Sequence, residues 1–187
     1  MRFISKVLIT IGLLCIAIGS FLLWERNNPN RLAFTTYTQT NYQNTQLIPV
    51  RIDIPSIQVN LPIVQSRIEQ SNWNTTKDGV SYLSSSPIPG KKGNSILYGH
   101  NWSNLLGNLP QVKPGETIEI EYNNGSKNIF TIHSMGVVTP DQTHVLSSSN
   151  DTRITLYTCT GFLDSKRLVV TAVLEQTGTK GGLAYEK

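Results

Sequence analysis

The sequence predicts an all-β domain, a barrel or sandwich with a few short helical pieces, preceded by one apolar helix long enough to cross a membrane. Three observations carry this. From Leu47 onward, short runs rich in β-branched and aromatic residues alternate apolar with polar. They are separated by turn signals such as Asn123-Asn124-Gly125, where Asn and Gly tolerate the positive φ of a tight hairpin. Helical periodicity is poor throughout that region, whereas residues 7–24 read VLITIGLLCIAIGSFLLW without a charge.

That apolar run makes a helix of roughly 27 Å at about 1.5 Å per residue, close to the thickness of a bilayer core. Arg2, Lys6 and the amino terminus precede it, while Glu25 and Arg26 largely cancel each other after it. The basic bias predicts a cytoplasmic N-terminus, a single pass and an extracytoplasmic domain in the cell membrane. Ala17-Ile18-Gly19 offers a rival reading as a signal-peptidase site, but apolar residues continue through Trp24. Lipoprotein processing at Cys15 is disfavoured by Leu14. A buried core helix is disfavoured by the run's all-round apolar character.

Residues 27–46 are rich in Asn, Thr and Gln and read as a flexible polar stalk, in which a short helix is possible. The folded domain is expected over residues 47–174. Its strand candidates are 50–54, which stops at Pro55, then 59–64, 95–98, 117–122, 126–133, 135–139, 153–158 and 168–174. Gly90, Pro114-Gly115 and Pro140-Asp141 mark further turns, with short helical pieces near 101–109 and 143–147. Residues 175–187, containing Gly178, Gly181 and Gly182, are expected to be a disordered tail.

At 187 residues there is room for one core and an anchor. The formal charge of +4 arises from basic residues scattered singly or in pairs such as Lys91-Lys92 and Lys166-Arg167. That suits a position near an anionic envelope and gives no reason to expect nucleic acid. Glu116, Glu119 and Glu121 read as the solvated face of a hairpin, so no metal and no cofactor are expected. Cys15 and Cys159 are both expected to be free thiols, leaving Cys159 as the one cysteine of the soluble part.

Chemistry concentrates around that cysteine. Thr155-Leu156-Tyr157-Thr158-Cys159 is followed eight positions later by Arg167, and Tyr98-Gly99-His100-Asn101 lies well upstream. Thiol, imidazole and guanidinium are the groups acyl transfer through a thioester requires: a nucleophile, a proton carrier and a fixed cation for the oxyanion. If the strands around 160–166 pair antiparallel, Arg167 returns beside Cys159, which is expected just past the end of strand 153–158. Arg167 alone would read as a surface arginine. Among the histidines, His133 ends an alternating strand and His144 sits in a polar loop, so His100 has the strongest case, its Gly99 allowing a sharp turn.

The arrangement resembles the sortases, bacterial surface enzymes that cut a C-terminal sorting signal and join the product to an amine. The five-residue motif Thr155 to Cys159, Arg167 at the start of the next strand and the Gly99-His100 segment after a strand fit that family position by position. The likeness extends over roughly residues 48–174, including LPQVKPGETIEI at 109–120 and Val137 to Asp141. It implies an eight-stranded β-barrel and a catalytic set of His100, Cys159 and Arg167, with Thr158 lining the substrate site. It also implies partners: surface proteins or pilins bearing an LPXTG-like sorting signal, and an amine acceptor, either a cell-wall precursor or a pilin lysine. Asn101, Gly161 and the short 160–166 connection depart from common family patterns and leave the subclass and sorting motif open. Two other functions remain: an endopeptidase of the same fold that resolves the thioester with water, and an idle adaptor that binds surface proteins.

Overall fold

The computed structural model describes residues 2–26, 29–35, 47–69 and 72–175. The expected tail lies outside the described residues except for Glu175, and most of the expected stalk does too. Residues 2–26 form the helix α1, Arg2–Arg26, whose apolar stretch Lys6–Glu25 is long enough to cross a membrane. Its side chains are exposed over the described part, the inverse of a core helix.

The strands are β1 (Pro49–Ile54), β2 (Val59–Ser66), β3 (Ile68–Glu69), β4 (Asn72–Trp73), β5 (Val80–Leu83), β6 (Gly93–Tyr98), β7 (Thr117–Tyr122), β8 (Lys127–Val138), β9 (Thr152–Thr160) and β10 (Lys166–Leu174). Eight of them close a barrel in the order β1-β2-β5-β6-β9-β10-β8-β7, and β3 and β4 form a separate two-stranded piece. Closure leaves none of the eight as a free edge. The β2–β5 and β6–β9 pairs are parallel and the remaining barrel pairs antiparallel.

Two expected strands, 126–133 and 135–139, are one: β8 runs unbroken and pairs with β10 from Val138 to Phe130, with a register shift between Thr171 and Ala172 that absorbs the irregularity. β5 was not legible, because its four residues are all buried and show no alternation. The pieces near 101–109 and 143–147 appear as short 3-10 turns at Leu109–Gln111 and Thr143–Leu146.

Alternation sorts the strand side chains into two clusters. Leu97 of β6, Ile154 and Leu156 of β9, and Leu168, Val170 and Ala172 of β10 fill the barrel interior with Ile52, Ile120 and Phe130. The intervening residues, Ile96 and Tyr98 of β6, Tyr157 and Cys159 of β9 and Val169 of β10, form an outer cluster with Trp73, Leu83 and Leu146. Leu32 and Phe34 complete that outer cluster.

Residues 29–35, inside the segment read as a stalk, are therefore not a spacer. Pro29–Leu32 makes a 3-10 turn, and the chain then lies across the outer cluster with Leu32 and Phe34 buried. Two apolar side chains at alternate positions are too few to register as periodicity, yet a preformed aromatic surface suffices to bury them.

Candidate active site

Strand pairing builds the site. In the antiparallel β9–β10 register, Cys159 lies directly opposite Arg167, and the two-residue period puts both on the outer face with Tyr157 and Val169. Cys159 belongs to β9 rather than lying past its end, because Thr160 still pairs with Lys166. The parallel β6–β9 register matches Tyr98 with Tyr157, so Gly99 and His100 leave β6 beside Thr158 and Cys159. Gly99 donates its amide to the Tyr157 carbonyl at 3.2 Å, prolonging the contact by one residue. The glycine eases a close approach: a Cβ there would sit 3.1 Å from Leu106 Cδ1, which would have to shift slightly. Leu106 in turn donates its amide to the His100 carbonyl at 3.1 Å.

His100 is buried and stacks on Trp102 with ring centroids 4.4 Å apart, and its Nε2 lies 3.4 Å from Thr75 Oγ1. Burial lowers its pKa, Lys77 lowers it further, and Asp164 opposes them. The rival histidines, His133 and His144, are exposed.

Thr158 does not line the outer face. Its position in β9 turns the side chain away from Cys159, where it is buried, and Oγ1 donates to the Gly99 carbonyl at 2.7 Å. The hydroxyl thus fixes the segment that carries His100. The same alternation that exposes Cys159 to the outer face forces its neighbour to the other.

The outer face at Cys159 is occupied by the strap 29–35. The thiol donates to the Arg31 carbonyl at 3.1 Å, and Arg167 Nη2 donates to the Ala33 carbonyl at 3.0 Å. Tyr157 donates its hydroxyl to the Leu32 carbonyl at 3.1 Å, and Thr35 donates its amide to the Pro140 carbonyl at 3.1 Å. Phe34 meets Tyr157 edge-on at 5.1 Å and packs against Trp73, and Tyr98 stacks on Tyr157 at 5.4 Å. Arg167 Nη1 donates to the Asp164 and Lys166 carbonyls, while its buried Nε–H has no partner, a free donor beside the thiol.

Burial pushes the Cys159 thiol up to about 11; Arg167 pulls it down, Asp164 raises it and Arg31 lowers it. With the strap in place both thiol and imidazole are therefore held neutral near pH 7.

Sequence reading missed the polar clamp under the strap. Arg31 Nη1 bonds Asp164 Oδ2 at 2.7 Å, Asn101 Nδ2 donates to Asp164 Oδ1 at 2.8 Å, and Arg31 Nε reaches Glu25 Oε1 at 3.4 Å. Asn101 stood out as a departure from family patterns, and its partner Asp164 lay in the short connection singled out with it. Nothing in the sequence linked either to Arg31. Among the described residues no cluster of His, Cys, Asp or Glu could hold a metal.

A closed barrel whose rim pairs a thiol with a guanidinium, an imidazole entering from the adjacent strand end, is a scaffold for thiol-based acyl transfer. The comparisons agree: a Sortase domain model matches residues 52–175, and the chain belongs to the sortase family, a family of cysteine transpeptidases. It is 33% identical over 134 residues to sortase A of Bacillus anthracis, covering 70% of this chain and 61% of that protein. The curated relatives it matches are spanned over only 56 to 61% of their length. Among solved structures, sortase C-1 of Actinomyces oris superposes with a TM-score of 0.61 at 26% identity, covering 84% of this chain and 99% of that one. A lid mutant of Streptococcus agalactiae sortase C1 gives 0.59 at 25% identity, covering 68% of each chain.

Proposed function

We propose that the chain is a membrane-anchored sortase that cleaves an LPXTG-like sorting signal and transfers the upstream protein to an amine acceptor, a cell-wall precursor or a pilin lysine. The observation that carries this reading is the strap. The chain's own backbone already lies on the outer face, with the Arg31 carbonyl at the end of a 3-10 turn accepting from the Cys159 thiol and the Ala33 carbonyl just after it accepting from Arg167. A surface that binds one peptide backbone in this way has the donors to bind another.

In the proposed reaction the thiol first gives its proton to His100. The thiolate attacks the scissile carbonyl, and the Arg167 guanidinium, with its unpartnered Nε–H and an Nη2 freed from Ala33, stabilises the oxyanion. The imidazolium donates its proton to the leaving amine as the C–N bond breaks, leaving a thioester on Cys159. Neutral His100 then accepts a proton from the incoming amine, which attacks the thioester, forms the new amide and expels the thiolate. Thr158 is a positioning residue in this scheme, acting through the Gly99 carbonyl.

The strap-covered arrangement is a closed state, and a substrate must displace residues 31–34. Withdrawal rehydrates the site, lowering the thiol pKa and raising that of the imidazole, so opening and activation coincide. One of the similar structures carries a mutated lid, and the strap is the segment of this chain that would answer to one. The helix α1 serves as the anchor, with its basic start in the cytoplasm.

The test is mass spectrometry of the full chain in detergent with LPXTG-type peptides, with and without triglycine. Peptide–triglycine conjugates that vanish in Cys159→Ala are expected. Cleavage by water alone under excess amine would favour the endopeptidase reading, and absence of any Cys159-dependent product would overturn the assignment.

A further inference from the structure

Among the described turns of the barrel, the one between β9 and β10 holds two consecutive non-glycine residues at positive φ. It runs through Gly161 at φ 81°, then Leu163 at φ 50° and Asp164 at φ 57°. Aspartate tolerates the left-handed region by local hydrogen bonding, but leucine has no such compensation. The strained turn carries Phe162 at 85% exposed and Leu163 at 51%. Phe162 has the greatest exposure of the large apolar residues in the described chain, α1 included. Lys166, exposed, follows at once.

Position gives these side chains a meaning. Leu163 and Asp164 line a cleft together with Gly19, Leu22 and Leu23 of α1, and with Arg31 and Asn101. The turn therefore lies alongside the last turns of the apolar helix rather than beyond its end. From Trp24 back to Gly19 is five residues, or about 7.5 Å along the axis. If α1 crosses the bilayer, a neighbour of Gly19 to Leu23 sits within the depth at which interfacial side chains bury, about 5–10 Å into the headgroup and acyl boundary. Water would leave Phe162 and Leu163 solvated at a cost; that boundary would not, and a lysine beside them suits anionic headgroups.

We propose that the Gly161–Ser165 turn is a second membrane contact, in which Phe162 and Leu163 enter the outer lipid boundary beside α1 and hold the Cys159–Arg167 rim against the membrane surface. The proposal rests on the reading of α1 as an anchor. The Arg31–Asp164 and Arg31–Glu25 pairs tie strap, turn and helix together, so this contact also fixes the strap at the lipid surface.

An environment-sensitive NBD label at Phe162→Cys tests it in the full chain, in a Cys15→Ala/Cys159→Ala background, reconstituted into phosphatidylcholine–phosphatidylglycerol vesicles. A matched label at Lys91→Cys, exposed in the turn that precedes β6 at the barrel end opposite His100, is the reference. Flotation of the chain with the vesicles, together with blue-shifted emission at 162 and quenching there by shallow doxyl lipids but not at 91, is expected. If the chain floats and the label at 162 behaves like the one at 91, the turn proposal is overturned while the anchor stands. If the chain does not float after carbonate washing, the anchor reading fails and takes the proposal with it.

Discussion

The two sides of the β9 strand bury their residues by different means. Ile154 and Leu156 face a barrel interior filled entirely by residues of the barrel and its connections, where nothing else can enter. Tyr157 and Cys159 face a cluster that Trp73 and Leu146 flank and that Leu32 and Phe34 of a separate segment cover. The first side is a permanent core. The second is covered by the chain's own strap, joined through backbone carbonyls that any peptide carries, and the proposed function makes it the surface where substrate binds. Equal burial therefore reports structure on one side of a strand and occupancy on the other.

The largest expected effects lie on the chemistry of the outer side. Cys159→Ala should eliminate transpeptidation, measured by conjugate formation, with an unchanged circular dichroism spectrum. Arg167→Lys should lower kcat/KM by on the order of a hundredfold or more, the scale of losing an oxyanion donor, because one ammonium cannot reproduce the guanidinium fork. Near wild-type turnover in that variant would remove Arg167 from the reaction.

Next comes the contrast itself. Leu156→Ala, opening a cavity in the interior, should destabilise the fold by about 2–5 kcal/mol in a denaturant titration. Phe34→Ala should leave that midpoint much less affected. By weakening the strap it should instead raise the alkylation rate of Cys159 by on the order of tenfold, since every 1.4 kcal/mol is a factor of ten in the opening equilibrium. Equal melting losses in the two variants, without faster alkylation, would show the strap to be ordinary core.

The pH dependence sharpens the same point. Burial raises the thiol pKa from 9.0 to about 11 in the closed state, so across that window the closed site keeps a proton that the open thiol loses. Raising the pH through that window favours opening. The alkylation profile of Phe34→Ala should accordingly move to lower pH than that of the parent, toward an ordinary thiol. The smallest effect expected is at Lys77, whose charge helps hold the His100 pKa down. Lys77→Met should raise that pKa modestly in an NMR titration, because removing a like charge favours the protonated ring.

Much of the fold was legible because barrel strands repeat every two residues and end at recognisable turns. Seven of the barrel strands were read, β8 as two pieces and the fully buried β6 from its β-branched and aromatic residues rather than from alternation. β5, buried on both faces and only four residues long with Ser81 among them, offers no alternation to read, and β3 and β4 are two residues each. The juxtaposition of Cys159 and Arg167 was legible because β9 and β10 are joined by a short connection, whereas the parallel β6–β9 pairing that carries His100 toward them joins segments far apart in the chain. The motif gives Thr158, expected to line the substrate site, an identity without a face; the strand period turns its buried side chain away from Cys159 onto the Gly99 carbonyl.

By itself, then, the sequence determined most strand periods, the turns and the apolar helix, all set by interactions within a few residues, and it named three candidate reactive side chains. Only the tertiary structure decided that Asp164 meets Arg31 and Asn101, that a leucine at positive φ lies beside α1, and that residues 31–34 cover the thiol. Those contacts join segments more than 60 residues apart. No local propensity encodes them: an exposed-looking Leu-Ala-Phe becomes buried only where the closed barrel presents an aromatic surface of matching shape.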